Sequence, residues 1–257
     1  MNRRQDLRGN EVSSHRVAAP RERDAADARP IPRVVPTRVS GRFTASAWVE
    51  RLDLFQLHSW MTDGAYCLDW LETLNALRLE GKIDQIGVSI RDYRPQDGVE
   101  LARLGLVSSQ QVIFNLFEQT PMHELFPAGA ASDTAFIARV PLDSGSLVGH
   151  WTADTYDTWS TGSVPHKMFQ GRRFTDTLAR IEALKVLSAP HYATLAEAAM
   201  RFVLSERAVS AVIPGMTSRA EVDMNVAYSD GATFPATLKA DVAAHTWVRN
   251  YYWETKD

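Results

Sequence analysis

Cysteine is almost absent from this 257-residue chain: Cys67 stands alone, so an intrachain disulfide and a cysteine-based zinc site are both excluded. A reducing, cytoplasmic setting is expected from that usage. No apolar run has the length of a membrane span, and no membrane partner is expected. Strong charge is also missing. A net charge of -3 argues against a nucleic-acid binder overall, since phosphate binding needs a basic face, and no nucleic-acid partner is expected. The sequence has no P-loop and no GxGxxG after a strand-like run. Glu118, His123 and the other His, Asp and Glu residues show no metal-ligand spacing, so no metal is expected.

What is present falls into two parts. Residues 1–42 hold ten Arg against five acids (Asp6, Glu11, Glu22, Asp24, Asp27), with Pro20, Pro30, Pro32 and Pro36 and no apolar periodicity. Such a segment buries too little surface to offset its conformational entropy, and it reads as a disordered basic arm. The acids set it apart from an organelle transit peptide. Residues 43–257 read as one α/β domain, with 45% apolar residues in the whole chain to supply a core.

Five short apolar runs carry that domain: Leu52–His58, Ile83–Ser89, Gln111–Asn115, Ala135–Leu142 and Val209–Gly215. Helix-like stretches separate them: Tyr66–Glu80, Arg94–Leu104, a short Pro121–Phe126, Phe174–Leu187, Leu195–Ser205 and, at the end, Leu238–Trp253. The long stretch from Gly149 to Gly171 reads as an irregular loop. Thr194-x-x-Glu197 and Ser218-x-x-Glu221 are two capping boxes. Strand–helix alternation implies parallel strands, whose polar ends gather on one face of the sheet. Chemistry in such folds sits on that face.

His58 ends the first run. There it either donates a hydrogen bond or exchanges a proton near neutral pH, or it serves only as a structural strand end. Ser89, Gln111 and Asn115 have the chemistry to hold a carboxamide or a neighbouring backbone group. The stretch Ile213-Pro-Gly-Met-Thr-Ser-Arg219 runs from a strand into a capped helix, whose free N–H groups and positive dipole end suit an anion. Together with Pro141-Leu142-x-Ser144-Gly145, two loops can approach a phosphate-bearing cofactor.

The segments LDLFQLH, LRLEGKIDQIGVS, QVIFNLFEQ, ARVPLDSGSLVG, TLAEAAMRFVLS and VIPGMTSRAEVDMN, in that order and spacing, resemble the aldo-keto reductase family. The resemblance runs from Leu52 to the C-terminus. It implies a TIM-barrel-type fold, here about five of eight parallel strands, that binds NADP(H) and reduces small-molecule aldehydes or ketones. It also implies that His58 is the active-site histidine and that Ser89 and Gln111 hold the nicotinamide carboxamide. Pro141, Leu142 and Ser144 then surround the pyrophosphate. Gly215, Thr217 and Asn225 lie at the adenosine and 2′-phosphate end, and Arg219 stands close to the anion site read from the capped helix. Ile90, Arg139 and Glu221 depart from the family's usual residues.

The resemblance further implies an Asp, a proton-donating Tyr and a Lys before the His58 strand. The first Tyr is Tyr66 and the first Lys is Lys82, both after it. The expectation is therefore an incomplete barrel, from a truncated or mis-started reading frame, that is inactive as it stands. The alternative is a non-catalytic nucleotide- or partner-binding remnant. Exposed sheet edges are expected to promote self-association.

Overall fold

The computed structural model describes residues 50–62 and 69–251. The basic arm and the proposed start of the first helix (residues 66–68) lie outside those residues. Five parallel strands form one sheet in sequential order: β1 (Leu52–Trp60), β2 (Ile83–Ile90), β3 (Ser109–Ile113), β4 (Ala135–Arg139) and β5 (Val209–Ile213). All five expected strands are present. β3 begins two residues earlier than its apolar run, because Ser109 and Gln110 pair with both neighbours. β4 stops at Arg139, because Val140 takes a left-handed backbone (φ 55°) that ends the ladder.

Register divides the sheet into two chemically different faces. Residues paired across parallel strands point the same way, and the side-chain period is two. Ile86, Val88, Val112, Phe136 and Ala138 therefore share the outer face, where all are buried. Against that face lie the helices α1 (Asp69–Leu79), α2 (Val99–Arg103), α3 (Leu125–Ser132) and α6 (Leu195–Leu204). The core is a ring stack: Phe126 meets Phe114 at 5.1 Å and Phe136 at 4.9 Å, and Phe202 meets Phe114 at 5.3 Å. The inner face is polar or small, with Gln56, Gly87 and Ser109 in one row and His58, Ser89 and Gln111 in the next.

Several helix boundaries differ from the sequence reading. The short helix expected at Pro121–Phe126 is a 3-10 turn (Thr120–Met122) followed by α3. The stretch from Gly149 to Gly171 contains a 3-10 turn (Thr155–Thr158) and α4 (Val164–Met168). Its aromatic residues form a second small core with α5 (Arg172–Ser188), in which Trp151 meets Phe169 at 4.8 Å and Trp159 at 5.1 Å. The last helix, α8, spans Ala236–Ala243 rather than reaching Trp253, because Trp247 gives its N–H to the carbonyl of Phe117 at 2.8 Å. Of the two capping boxes, Ser218–Glu221 is complete and opens α7 (Arg219–Ala227). Thr194 caps α6 one way only, and Glu197 turns instead to Arg201 at 2.9 Å.

Candidate active site

The C-terminal strand ends bring several of the expected residues to one side of the sheet. His58, Ser89 and Gln111 occupy one row across β1, β2 and β3. His58 is exposed and Gln111 half-buried. Ser89 is 3% exposed, and its hydroxyl has no partner among the described residues. A buried hydroxyl without a partner costs free energy. Asn115 proves structural. Its amide donates to the Val140 carbonyl at 3.0 Å, and its Oδ1 accepts the N–H groups of Phe117 and Glu118, each at 2.9 Å.

One row nearer the strand ends, Arg139 shares the inner face with Ile113 and Ile213. Its guanidinium reaches across β3 to the end of β2, bonding Asp92 at 2.6 Å and the Ile90 carbonyl at 3.1 Å. An ion pair thus occupies the strand ends at Arg139, one of the positions that depart from the usual residues of the resembled family.

The loop after β4 contains Pro141, Leu142 and Ser144. The carbonyl of Leu142 accepts the N–H groups of Gly145 and Leu147, and Ser144 is exposed in a left-handed conformation. The neighbouring loop, after β5, carries Gly215 and Thr217, both exposed, and leads to Asn225, which is buried on α7. Open space surrounds the position where a Gly215 side chain would begin. The anion position at the start of α7 is filled from within. One oxygen of Glu221 accepts the Thr217 N–H at 2.5 Å, the Thr217 hydroxyl at 2.9 Å and the Ser218 N–H at 3.1 Å. Those bonds hold the Glu221 carboxyl below its ordinary range, the Thr217 N–H most of all. Arg219 is 95% exposed in its side chain and reaches Asp223 only at 3.9 Å, so it lies outside this pocket of donors.

A cavity of about 330 Å³ lies elsewhere, between Val148, Gly149, Lys185, Tyr192 and Thr194 on the helix side. None of the expected site residues lines it. Among the described residues no cluster of His, Cys, Asp or Glu is arranged to hold a metal ion, and no helix is long and apolar enough to cross a membrane.

Sequence reasoning missed one group. Buried Asp143 forms an ion pair with buried Arg249 from the C-terminal segment, with Glu118 beside them. Their wide separation in sequence hides the pairing.

Five sequential parallel strands with polar residues at their C-terminal ends are of the β/α-barrel type. The aldo/keto reductase family model matches residues 47–244, and the chain belongs to that family. An NADH-specific methylglyoxal reductase of Escherichia coli (strain K12) is 25% identical over 191 residues, covering 70% of this chain and 54% of the relative. The chain therefore spans about half the length of that curated relative. A glycerol dehydrogenase from Gluconobacter oxydans superposes with a TM-score of 0.66 at 24% identity, over 82% of this chain and 64% of that one. The holo form of an aldo-keto reductase from Bacillus halodurans gives 0.66 at 19% identity, over 85% and 67%. These two likenesses support the fold. Aldo-keto reductases are oxidoreductases that use nicotinamide cofactors.

Proposed function

We propose that this chain binds a nicotinamide dinucleotide and belongs to an oxidoreductase acting on small aldehydes or ketones, with NADH rather than NADP(H) as its cofactor. The row of His58, Ser89 and Gln111 carries the reading. The unpartnered Ser89 hydroxyl and the Gln111 carboxamide offer both a donor and an acceptor, complementary to the carboxamide of nicotinamide. When bound, the cofactor supplies a hydride. Ser89 and Gln111 orient the ring, and His58 offers a hydrogen bond to the carbonyl oxygen of the substrate.

Glu221 supports the choice of NADH. A 2′-phosphate at the start of α7 would have to displace a carboxylate from three donors and bear its charge. A ribose 2′-hydroxyl can instead donate to a carboxylate, which is the usual means of selecting NAD. The NADH specificity in the name of the Escherichia coli relative points the same way. Titration of protein fluorescence with NADH and NADPH tests this. Wild type should prefer NADH, and Glu221→Arg should narrow or reverse the preference. Equal affinities in the wild type would remove the assignment, and a tighter NADPH complex would restore the sequence expectation of NADP.

The role of His58 is tested by turnover. Reduction leaves an alkoxide, and general acid catalysis of its protonation is worth about 10²–10⁴-fold. His58, exposed near the end of β1, is the group of the row that can offer a hydrogen bond to the developing oxyanion. NADH-dependent reduction of nitrobenzaldehyde should fall in His58→Ala, because the carbonyl oxygen then loses that hydrogen bond. Turnover unchanged in that variant would remove His58 from the site.

A further inference from the structure

The turn after β4 holds its backbone in a costly shape. Val140 has φ 55°, and Asp143, Ser144 and Gly145 follow one another at 47°, 57° and 97°. Non-glycine residues persist in this region only where their surroundings over-determine them. The surroundings here are unusual. The Asp143 carboxylate, 2% exposed, accepts the Ser146 hydroxyl at 2.5 Å and the Arg249 guanidinium. Arg249 comes from the segment after α8, and its side chain is only 6% exposed. Its guanidinium lies 4.9 Å from the ring centre of Phe117, 4.2 Å from Trp247 and 5.2 Å from Tyr251.

That C-terminal segment is fastened along its length. Gln119 donates to the Val242 carbonyl at 2.9 Å, Trp247 donates to Phe117, and Tyr251 packs edge-on to Phe169 with ring centres 5.9 Å apart. A buried ion pair is costly to assemble and more costly to halve, so it is poorly explained as a simple source of stability. What this pair touches is the left-handed turn, and that turn carries Leu142 and Ser144.

We propose that Arg249 is a positioning residue: acting through Asp143, it holds the Val140–Gly145 turn in the left-handed form that a dinucleotide's pyrophosphate meets. The C-terminal segment is thereby coupled to cofactor affinity without touching the cofactor. The ligand half of this inference rests on the nicotinamide reading, whereas the turn half rests on the geometry alone.

The test compares the full chain with its Arg249→Gln, Arg249→Lys and Asp143→Asn variants. Hydrogen exchange is followed in peptides covering residues 140–149, with peptides from β2 and α6 as internal references. Arg249→Gln should raise exchange in 140–149 by about tenfold, the scale of one coupling between touching residues, and leave the references unchanged. NADH affinity should fall by a similar factor, while that of reduced nicotinamide mononucleotide, which has no pyrophosphate, should hold. Arg249→Lys should recover part of both effects. Unchanged exchange in 140–149, or a uniform rise across all peptides, would overturn the positioning role. Equal losses for NADH and the mononucleotide would overturn the link to the pyrophosphate. A wild-type chain that binds no dinucleotide would overturn the nicotinamide reading and that link together, and the exchange arm would still decide the turn.

Discussion

Glu118 sits 1% exposed between Thr120, Asp143 and Arg249. Burial pushes its carboxyl above the ordinary range. The Thr120 hydroxyl and N–H and the charge of Arg249 oppose the rise, and Asp143 adds to it. An unfolded Glu titrates near about 4.3, so above that pH the folded chain holds a proton that the unfolded chain has released. Stability should therefore fall as pH rises from that value through the folded one. Glu118→Gln removes the ionisation and keeps polar atoms for Thr120. Urea midpoints should drop less between pH 5 and 8 in the variant than in the wild type, and at pH 8 the variant should be at least as stable. A variant weaker by about 3 kcal/mol at both pH values would instead mean that Glu118 is an ionised partner of Arg249.

At the scale of the element, Gly129 shows how tightly α3 lies on the sheet. A methyl group there would overlap the ring of Phe136, which is fully buried and already packed at a tilt against Phe126. Ala favours a helix over Gly by about 0.8–1.0 kcal/mol, but overpacking a filled core costs about 1–3 kcal/mol. The second effect should win, and Gly129→Ala should lower the unfolding free energy. An unchanged or raised denaturation midpoint would show that Phe136 can shift. Strands were legible in sequence because β-branched and aromatic runs end in turn residues, and period two then placed His58, Ser89 and Gln111 on one face. Helix ends were less so. α8 looks able to continue through the aromatic residues, but Trp247 is claimed by Phe117, 130 positions earlier in the chain. Arg249 and Asp143 lie 106 positions apart, and local pattern carries no trace of such a pair. The Glu221 capping motif was readable, but only geometry shows its carboxylate filling the anion position.

At the scale of the whole sheet, the two outer strands decide how the molecule meets others. Among the described residues β1 pairs only with β2, and β5 only with β4, so each presents one row of unpaired backbone groups. Natural edges are blunted by charge, bulges or short length. β5 has five residues and a register shift opposite Phe136 and Ile137. β1 is nine residues long, and its shift comes only after His58, leaving the apolar run from Leu52 to Leu57 regular. Asp53 is the one charge within that run, and Leu54 is 36% exposed on the inner face. Among the described residues β1 is thus the longer and more regular edge, and we propose it as the more adhesive one. Sedimentation velocity across the micromolar range should show reversible association. Leu54→Lys should suppress it, whereas Ser210→Lys on β5 should change it little. A single sedimenting species at every concentration would remove edge pairing as a property of this chain, and equal suppression by both variants would assign the contact to both edges rather than to β1.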